Sequence, residues 1–176
     1  MFEKEKLPSY IDDALATWHG SLTDPTNACM KFSGENGELV DYVAKIMFKP
    51  NFIVDMDKMV AEAGDAWYYF RILLKIFNFN LDDAELPNDM YNISPNQDID
   101  SEKLNCLIDM STDAVFVFSS LRKDNTPIHT TYIKGSMCLW LISFLRWLYL
   151  NDIDFDYMHQ YNVTKLSGPS NHGWKA

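Results

Sequence analysis

Two pairs of carboxylates, each with its members three residues apart, constrain this chain more than any other feature. The first pair is Glu35 and Glu38 in Gly-Glu-Asn-Gly-Glu, and the second is Glu62 and Asp65 in Glu-Ala-Gly-Asp. Residues i and i+3 share one face of a helix, so each pair can direct two carboxylates at one point. Two such helices packed antiparallel would bring four carboxylates together, and that much negative charge requires cations. Because all the ligands are oxygens, the pattern predicts a hard ion, Mg²⁺ or Mn²⁺.

Helical periodicity of the apolar residues predicts an all-α fold. The expected helices cover 9–19, 26–48, a stretch from 55 or 57 to 77, 102–122 and 130–150. No segment has the alternation that is typical of a strand. The short linker at Pro50 predicts that the second and third helices form an antiparallel hairpin, which would join the two carboxylate pairs. We therefore expect residues 1–176 to form a single domain, an antiparallel bundle of about five main helices.

Composition and charge exclude several classes of protein. Apolar residues make up 47% of the chain and aromatic residues 14%, which argues against disorder. The net charge of −10 argues against nucleic-acid binding, because no basic stripe is available for phosphates. The charged N-terminus has no secretory signal, which predicts a cytoplasmic protein. The apolar run 137–150 is too short to span a membrane and contains Arg146, which predicts a core helix or a subunit contact and no membrane partner.

A weak internal repeat appears when the chain is shifted by 74 residues. The second and third helices then align with the fourth and fifth without a gap. The four carboxylates align in turn with Asp109, Thr112, Ser136 and Leu139. An ancient duplication would predict a pseudo-twofold bundle with one functional site and one that has lost its ligands. Chance similarity between helical hairpins is the alternative.

The order of the motifs resembles a known family. Glu-x-x-Glu is followed one hairpin later by Glu-x-x-Asp and near the end by Asn162-x-x-Lys165-Leu166. This is similar to the all-α nucleoside triphosphate pyrophosphohydrolases, the MazG-like group with its dUTPase and dCTPase relatives, over residues 8–79 and the final motif. A minimal member would have the last motif soon after the third helix, where this chain has Asn88 without its lysine. Either Asn88, or Asn162 with Lys165, would then complete the site, and the second hairpin suggests the duplicated dUTPase-like members.

The resemblance implies a reaction and a set of site residues. The protein would be a Mg²⁺-dependent hydrolase that cleaves the α–β bond of a nucleoside triphosphate to give a monophosphate and pyrophosphate. Metal ligands would be Glu35, Glu38, Glu62 and Asp65, with Glu35 and Glu38 also catalytic; substrate-binding residues would be Lys45, Tyr69, Asn162 and Lys165. Family members assemble as dimers or tetramers, so a homo-oligomer is expected.

Other readings of the same carboxylates lead to other functions. A di-iron bundle requires two Glu-x-x-His motifs. The nearest stretch is Asp156-x-x-His159, which we interpret as surface. A catalytically inactive nucleotide-binding or regulatory bundle on the same scaffold is a second alternative, and a structural bundle without a ligand is a third. The presence of all four carboxylates favours the enzyme.

Overall fold

The computed structural model describes residues 1–80, 86–122 and 127–168, and they form an all-α helical bundle, as predicted. The six α-helices of these residues are α1 Leu7–Leu15, α2 Thr26–Phe48, α3 Met56–Ile76, α4 Ile99–Ser119, α5 Pro127–Leu150 and α6 Phe155–Ser167. Short 3₁₀ turns cover Lys4–Lys6 and Ser120–Arg122. The bounds of α2 match the prediction. The helix expected over 9–19 already ends at Leu15, and α6 was not predicted as a helix.

Aspartate caps determine where three of the helices begin. Asp55, Asp98 and Asp154 precede α3, α4 and α6, and each carboxylate accepts a hydrogen bond from a backbone N–H two or three residues further on. Such caps satisfy amides that have no partner within the helix. The Tyr42 hydroxyl adds a second anchor at the α2–α3 turn, because it lies 2.8 Å from both the carbonyl oxygen and the amide nitrogen of Asp55.

The bundle consists of two helical hairpins with two further helices on one side. α2 packs on α3, α4 packs on α5, and α2 also contacts α4. The order of the hairpins is the one that the 74-residue repeat predicts, although the duplication itself stays a prediction. α1 and α6 both pack on α3.

Four aromatic rings between α3 and α5 form a cycle in which each ring stacks on two others. Phe70 stacks on Trp140 with 4.7 Å between ring centroids, and Trp140 stacks on Phe144 at 4.6 Å. Trp67 lies parallel to both Phe70 and Phe144, at 5.6 and 6.2 Å. All four residues are fully buried. This packing fixes the rotation of α3 and therefore the side of the bundle on which its acidic residues lie.

α5 is longer than the apolar run from which it was predicted. Among the described residues, the stretch Thr130–Leu150 is one helix that is long and apolar enough to cross a membrane. The expectation that it is too short is therefore wrong. Half of its most apolar 18-residue stretch is buried within the bundle. Arg146 donates to the Met90 carbonyl and to Glu102, at 3.0 and 3.1 Å.

Candidate metal centre

Three of the four predicted carboxylates converge between α2 and α3. Glu35, Glu62 and Asp65 each contribute one oxygen, and these oxygens all lie within 4.8 Å of one another. Each of the three residues is partly buried. Oxygen ligands at about 2.0–2.6 Å from one cation lie at most about 5 Å apart. The separation therefore suits three ligands of a single hard ion.

Glu38 lies outside this trio. Its side chain is exposed, one turn along α2 from Glu35. It is still close enough that its charge raises the pKa values of Glu35, Glu62 and Asp65. The structure thus brings three carboxylates together and leaves the fourth at the solvent side of the cluster.

The cluster has an excess of negative charge. Burial, followed by the charges of Asp65 and Glu38, raises the pKa of Glu35 to about 7. Burial, followed by the charges of Glu38 and Asp65, raises the pKa of Glu62. Burial also raises the pKa of Asp65, although hydrogen bonding to Lys165 opposes this. A carboxylate with a raised pKa is stabilised when a cation binds beside it, so the electrostatics and the all-oxygen donor set fit a divalent metal.

α6 supplies the polar groups nearest to Asp65. Asn162 Nδ2 donates to Asp65 Oδ1 at 3.0 Å, and Lys165 forms an ion pair with Asp65 Oδ2. The approach depends on Gly64, since a Cβ atom there would lie 2.9 Å from the Asn162 Cβ. Asn88 is an exposed residue of the α3–α4 connection. Of the two groups that could complete the site, the structure brings Asn162 and Lys165 to the carboxylates.

The other two predicted substrate residues lie differently. Tyr69 is buried beside the cluster, where burial and then the charge of Glu35 raise the pKa of its hydroxyl. The Trp18 ring meets Tyr69 edge to face at 6.2 Å. Lys45 is exposed and forms an ion pair with Asp41 one turn earlier on α2, while still interacting electrostatically with Glu62.

Two residues behind Asp65 were missed by sequence reasoning. Arg71 is fully buried and donates from its NH2 nitrogen to Asn162 Oδ1 at 3.0 Å. The expectation that His159 lies at the surface is wrong, because it is 2% exposed and its ring contacts Arg71 and Asp13. The signal for Arg71 was a lone cation within the apolar run 66–74. The signal for His159 was its place one turn before Asn162.

Comparison of this chain with protein-family models, with curated proteins and with solved structures gives no match. We therefore infer the function from the residues of the site.

Proposed function

We propose that this protein is a Mg²⁺-dependent nucleoside triphosphate pyrophosphohydrolase of the MazG-like type, with Mn²⁺ as an alternative ion. The observation that carries the proposal is the convergence of Glu35, Glu62 and Asp65 within 4.8 Å, next to the amide of Asn162 and the ammonium of Lys165. An acidic protein can bind phosphate groups through the positive charge of a bound metal and of lysine. A site with metal-binding carboxylates next to a lysine therefore suits a polyphosphate substrate.

Glu35, Glu62 and Asp65 would hold the metal. Their oxygens fit the ligand preference of Mg²⁺, and their raised pKa values supply a reason for cation binding. A bound Mg²⁺ would neutralise the charge that develops on the phosphate oxygens during the reaction.

Glu38 is the carboxylate that remains available for the attacking water. It is exposed and lies outside the trio, yet its charge acts on all three members. In the proposed reaction the water oxygen attacks phosphorus, its proton passes to Glu38, and the bond to the bridging oxygen breaks with release of pyrophosphate. The proposed catalytic residues are Glu38, as the base, and Glu35, as a ligand of the metal.

Lysine and aromatic side chains around the cluster would bind the substrate. Lys165 is 42% exposed at its side chain, so it can leave Asp65 and contact a phosphate oxygen as a point charge. Lys45, which interacts electrostatically with Glu62, would act likewise. Tyr69 and Trp18 form an aromatic edge beside the carboxylates that suits a nucleoside.

Pyrophosphate release from a panel of ribo- and deoxynucleoside triphosphates with Mg²⁺ tests the proposal. We expect release by the wild-type protein and a loss of at least about 100-fold in Glu38→Gln and Asp65→Asn, the scale typical of an essential acid–base group. Asp109→Asn is the matched control, because Asp109 is an exposed carboxylate at the repeat-related position on α4. It should keep wild-type activity.

Each outcome of this assay separates the alternatives. Release that disappears in both site variants and persists in Asp109→Asn would support the enzyme, and the best substrate would identify the subfamily. No release from any nucleotide, in a folded protein that Mg²⁺ plus nucleotide stabilises against heat, would leave the inactive nucleotide-binding or regulatory bundle. Absence of that stabilisation would favour a bundle without a nucleotide ligand.

A further inference from the structure

Arg71 is a buried cation whose described hydrogen-bond partners are all neutral. Its side chain is fully buried on α3, one turn after Trp67. The guanidinium donates to the Tyr10 carbonyl at 2.8 Å, to Asn162 Oδ1 at 3.0 Å, and more weakly to the Trp67 carbonyl and to His159 Nδ1, both at 3.4 Å. Burial lowers the pKa of Arg71 to about 10. Burial of a cation without a directly bound counter-ion has an unfavourable desolvation free energy, so this arrangement requires a reason beyond packing.

The contact with Arg71 determines which way the amide of Asn162 points. A guanidinium only donates hydrogen bonds, so the Asn162 atom that faces it must be the oxygen. The NH₂ group then faces Asp65, and its nitrogen lies 3.0 Å from Asp65 Oδ1. A flipped amide would place its NH₂ against the guanidinium and its oxygen against a carboxylate, which are both repulsive contacts. Asn162 is itself fully buried, so no water competes for this orientation.

His159 contacts the other terminal nitrogen of the Arg71 guanidinium. Its Nδ1 faces two groups that can only donate, the Trp67 indole N–H and an Arg71 N–H, each at 3.4 Å. Nδ1 must therefore be the acceptor, and the ring proton lies on Nε2, which is 3.1 Å from Asp13 Oδ2. The neutral ring completes a chain of hydrogen bonds from Asp13 through His159, Arg71 and Asn162 to Asp65.

We propose that Arg71 is a positioning residue of the metal centre, which orients Asn162 so that the amide holds the Asp65 carboxylate in the geometry that binds the ion. This rests on the proposed function in so far as Asp65 is taken as a metal ligand. Partners behind the ligands of a metal typically change its affinity 10–100-fold when they are removed. Arg71 touches neither metal nor substrate and acts through Asn162 alone.

Mn²⁺ affinity in a double-mutant cycle tests this inference. Titration calorimetry would compare Arg71→Lys, Asn162→Ala and the double variant. Arg146→Lys is the control, because Arg146 lies on the other hairpin and is paired with Glu102. We expect about a tenfold weaker Mn²⁺ affinity in Arg71→Lys, no further loss when it is added to Asn162→Ala, and wild-type affinity in Arg146→Lys. A purely structural role for Arg71 would lower thermal stability without this non-additivity in metal affinity. Additive losses in the cycle, or an unchanged affinity in Arg71→Lys, would overturn the proposal.

Side-chain amide NMR of the metal-free protein provides a second readout. One Asn162 Nδ2 proton should be protected from exchange in the wild-type protein, and that protection should be lost in Arg71→Lys. An unprotected Asn162 amide in the wild-type protein refutes the inference even if Arg71→Lys fails to fold. If the wild-type protein binds no Mn²⁺, the metal-dependent function is refuted, and the protection of this amide still decides whether Arg71 positions it.

Discussion

At the scale of single residues, Glu35 is the most strongly perturbed member of the cluster. Its carboxyl group lies among other carboxylates and is partly buried, and both effects favour its protonated form. With a pKa of about 7 it changes charge within the physiological range, whereas an ordinary glutamate is fully ionised there. Metal binding at this position must therefore compete with a proton.

We predict that Glu35 makes the metal-free protein less stable as pH rises from about 5 to 8. The folded state keeps a proton on Glu35 that the unfolded chain releases above the ordinary glutamate pKa of 4.5. Stability is therefore greatest below that value and falls as pH rises through about 7. Glu35→Gln removes this term and should be about 1–2 kcal/mol more stable than the wild-type protein at pH 8, because one pKa unit is about 1.4 kcal/mol and partial exposure screens the shift.

Urea denaturation at pH 5, 6.5 and 8 in a chelating buffer would measure this effect. Glu3→Gln is the control, because Glu3 is an exposed carboxylate outside the cluster. Equal pH dependence in Glu35→Gln and the wild-type protein would contradict the prediction. With Mg²⁺ present the trend should reverse, since deprotonated carboxylates bind the ion and the ion stabilises the folded state.

At the scale of helices, α6 is present in the structure but was not predicted, and it shows where sequence patterns fail. The buried residues of α6 are Phe155, Met158, His159 and Asn162, which have the spacing of a helical face. Two of these four residues are polar, so no apolar stripe is visible along the sequence. Their burial is possible only because Arg71 and Asp13 provide hydrogen bonds from other helices. Long, apolar helices such as α2 and α3 were predictable because their periodicity needs no such partner.

The position of Glu38 was not predictable for a related reason. Spacing alone places Glu35 and Glu38 on one face of α2. The rotation of α2 about its own axis is set instead by buried contacts. One of them is Asn36, whose Oδ1 accepts a hydrogen bond from the Trp140 indole at 3.0 Å. That contact spans 104 residues of sequence, and local spacing does not specify it. The rotation turns Glu35 toward α3 and leaves Glu38 in solvent.

We predict that Gly64→Ala displaces α6 from α3. The added Cβ would lie 2.9 Å from the Asn162 Cβ, a contact that only movement of a backbone can relieve. The variant should lose about 1–3 kcal/mol, as is typical of overpacked interfaces. Asn162 and Lys165 would also retreat from Asp65, so Mn²⁺ affinity should fall together with stability.

Gly135→Ala is the matched control for this change. Gly135 lies within α5, and a Cβ there meets no atom within 4 Å. Alanine in an open helical position stabilises a protein by about 0.5–1 kcal/mol relative to glycine. Thermal unfolding should therefore shift in opposite directions for the two variants. Stabilisation by Gly64→Ala would contradict the close approach of α6 to α3 at Gly64.

At the scale of the whole molecule, a polar bridge through Asn36 joins the carboxylate hairpin to the second one. Asn36 on α2 accepts from Trp140 on α5 and donates to Ser111 on α4 at 3.5 Å. Asn36 is 2% exposed, so its amide forms hydrogen bonds with these two residues in place of water. The same residue lies between the two glutamates of α2, so it contributes both to the packing of the hairpins and to the orientation of the site.

We predict that Asn36→Ala lowers the free energy of unfolding by about 1–3 kcal/mol, because the buried Trp140 N–H loses its acceptor. Trp140→Phe removes that donor and is the partner in a double-mutant cycle. The decrease in the free energy of unfolding caused by Asn36→Ala should be smaller in the Trp140→Phe background, as measured by urea denaturation. Equal costs in both backgrounds would show that the hydrogen bond contributes nothing to the joining of the hairpins.

The outer face of α2 and α4 carries the apolar surface that bears on self-association. Phe48 is 74% exposed and Ile108 is 53% exposed, and both line an open groove of about 260 Å³ between the two helices. The other lining residues are Val40, Val43, Ala44, Met47, Leu104, Leu107, Ser111 and Thr112. Eight of these ten side chains are apolar, and contiguous exposed apolar surface is typical of an interaction site.

We predict that this groove is the contact of a homo-oligomer. Burial of a large apolar side chain contributes about 1.5–3 kcal/mol, so a face with several of them can hold two copies of the chain together. Ile108→Glu would place an unpaired charge in that contact and should give a monomer by sedimentation velocity. Leu139→Glu is the control, because Leu139 is 56% exposed on α5, away from the groove. Leu139→Glu should leave the assembly intact. A monomeric wild-type protein would exclude the contact. An oligomer that only Leu139→Glu disrupts would place the contact outside the groove.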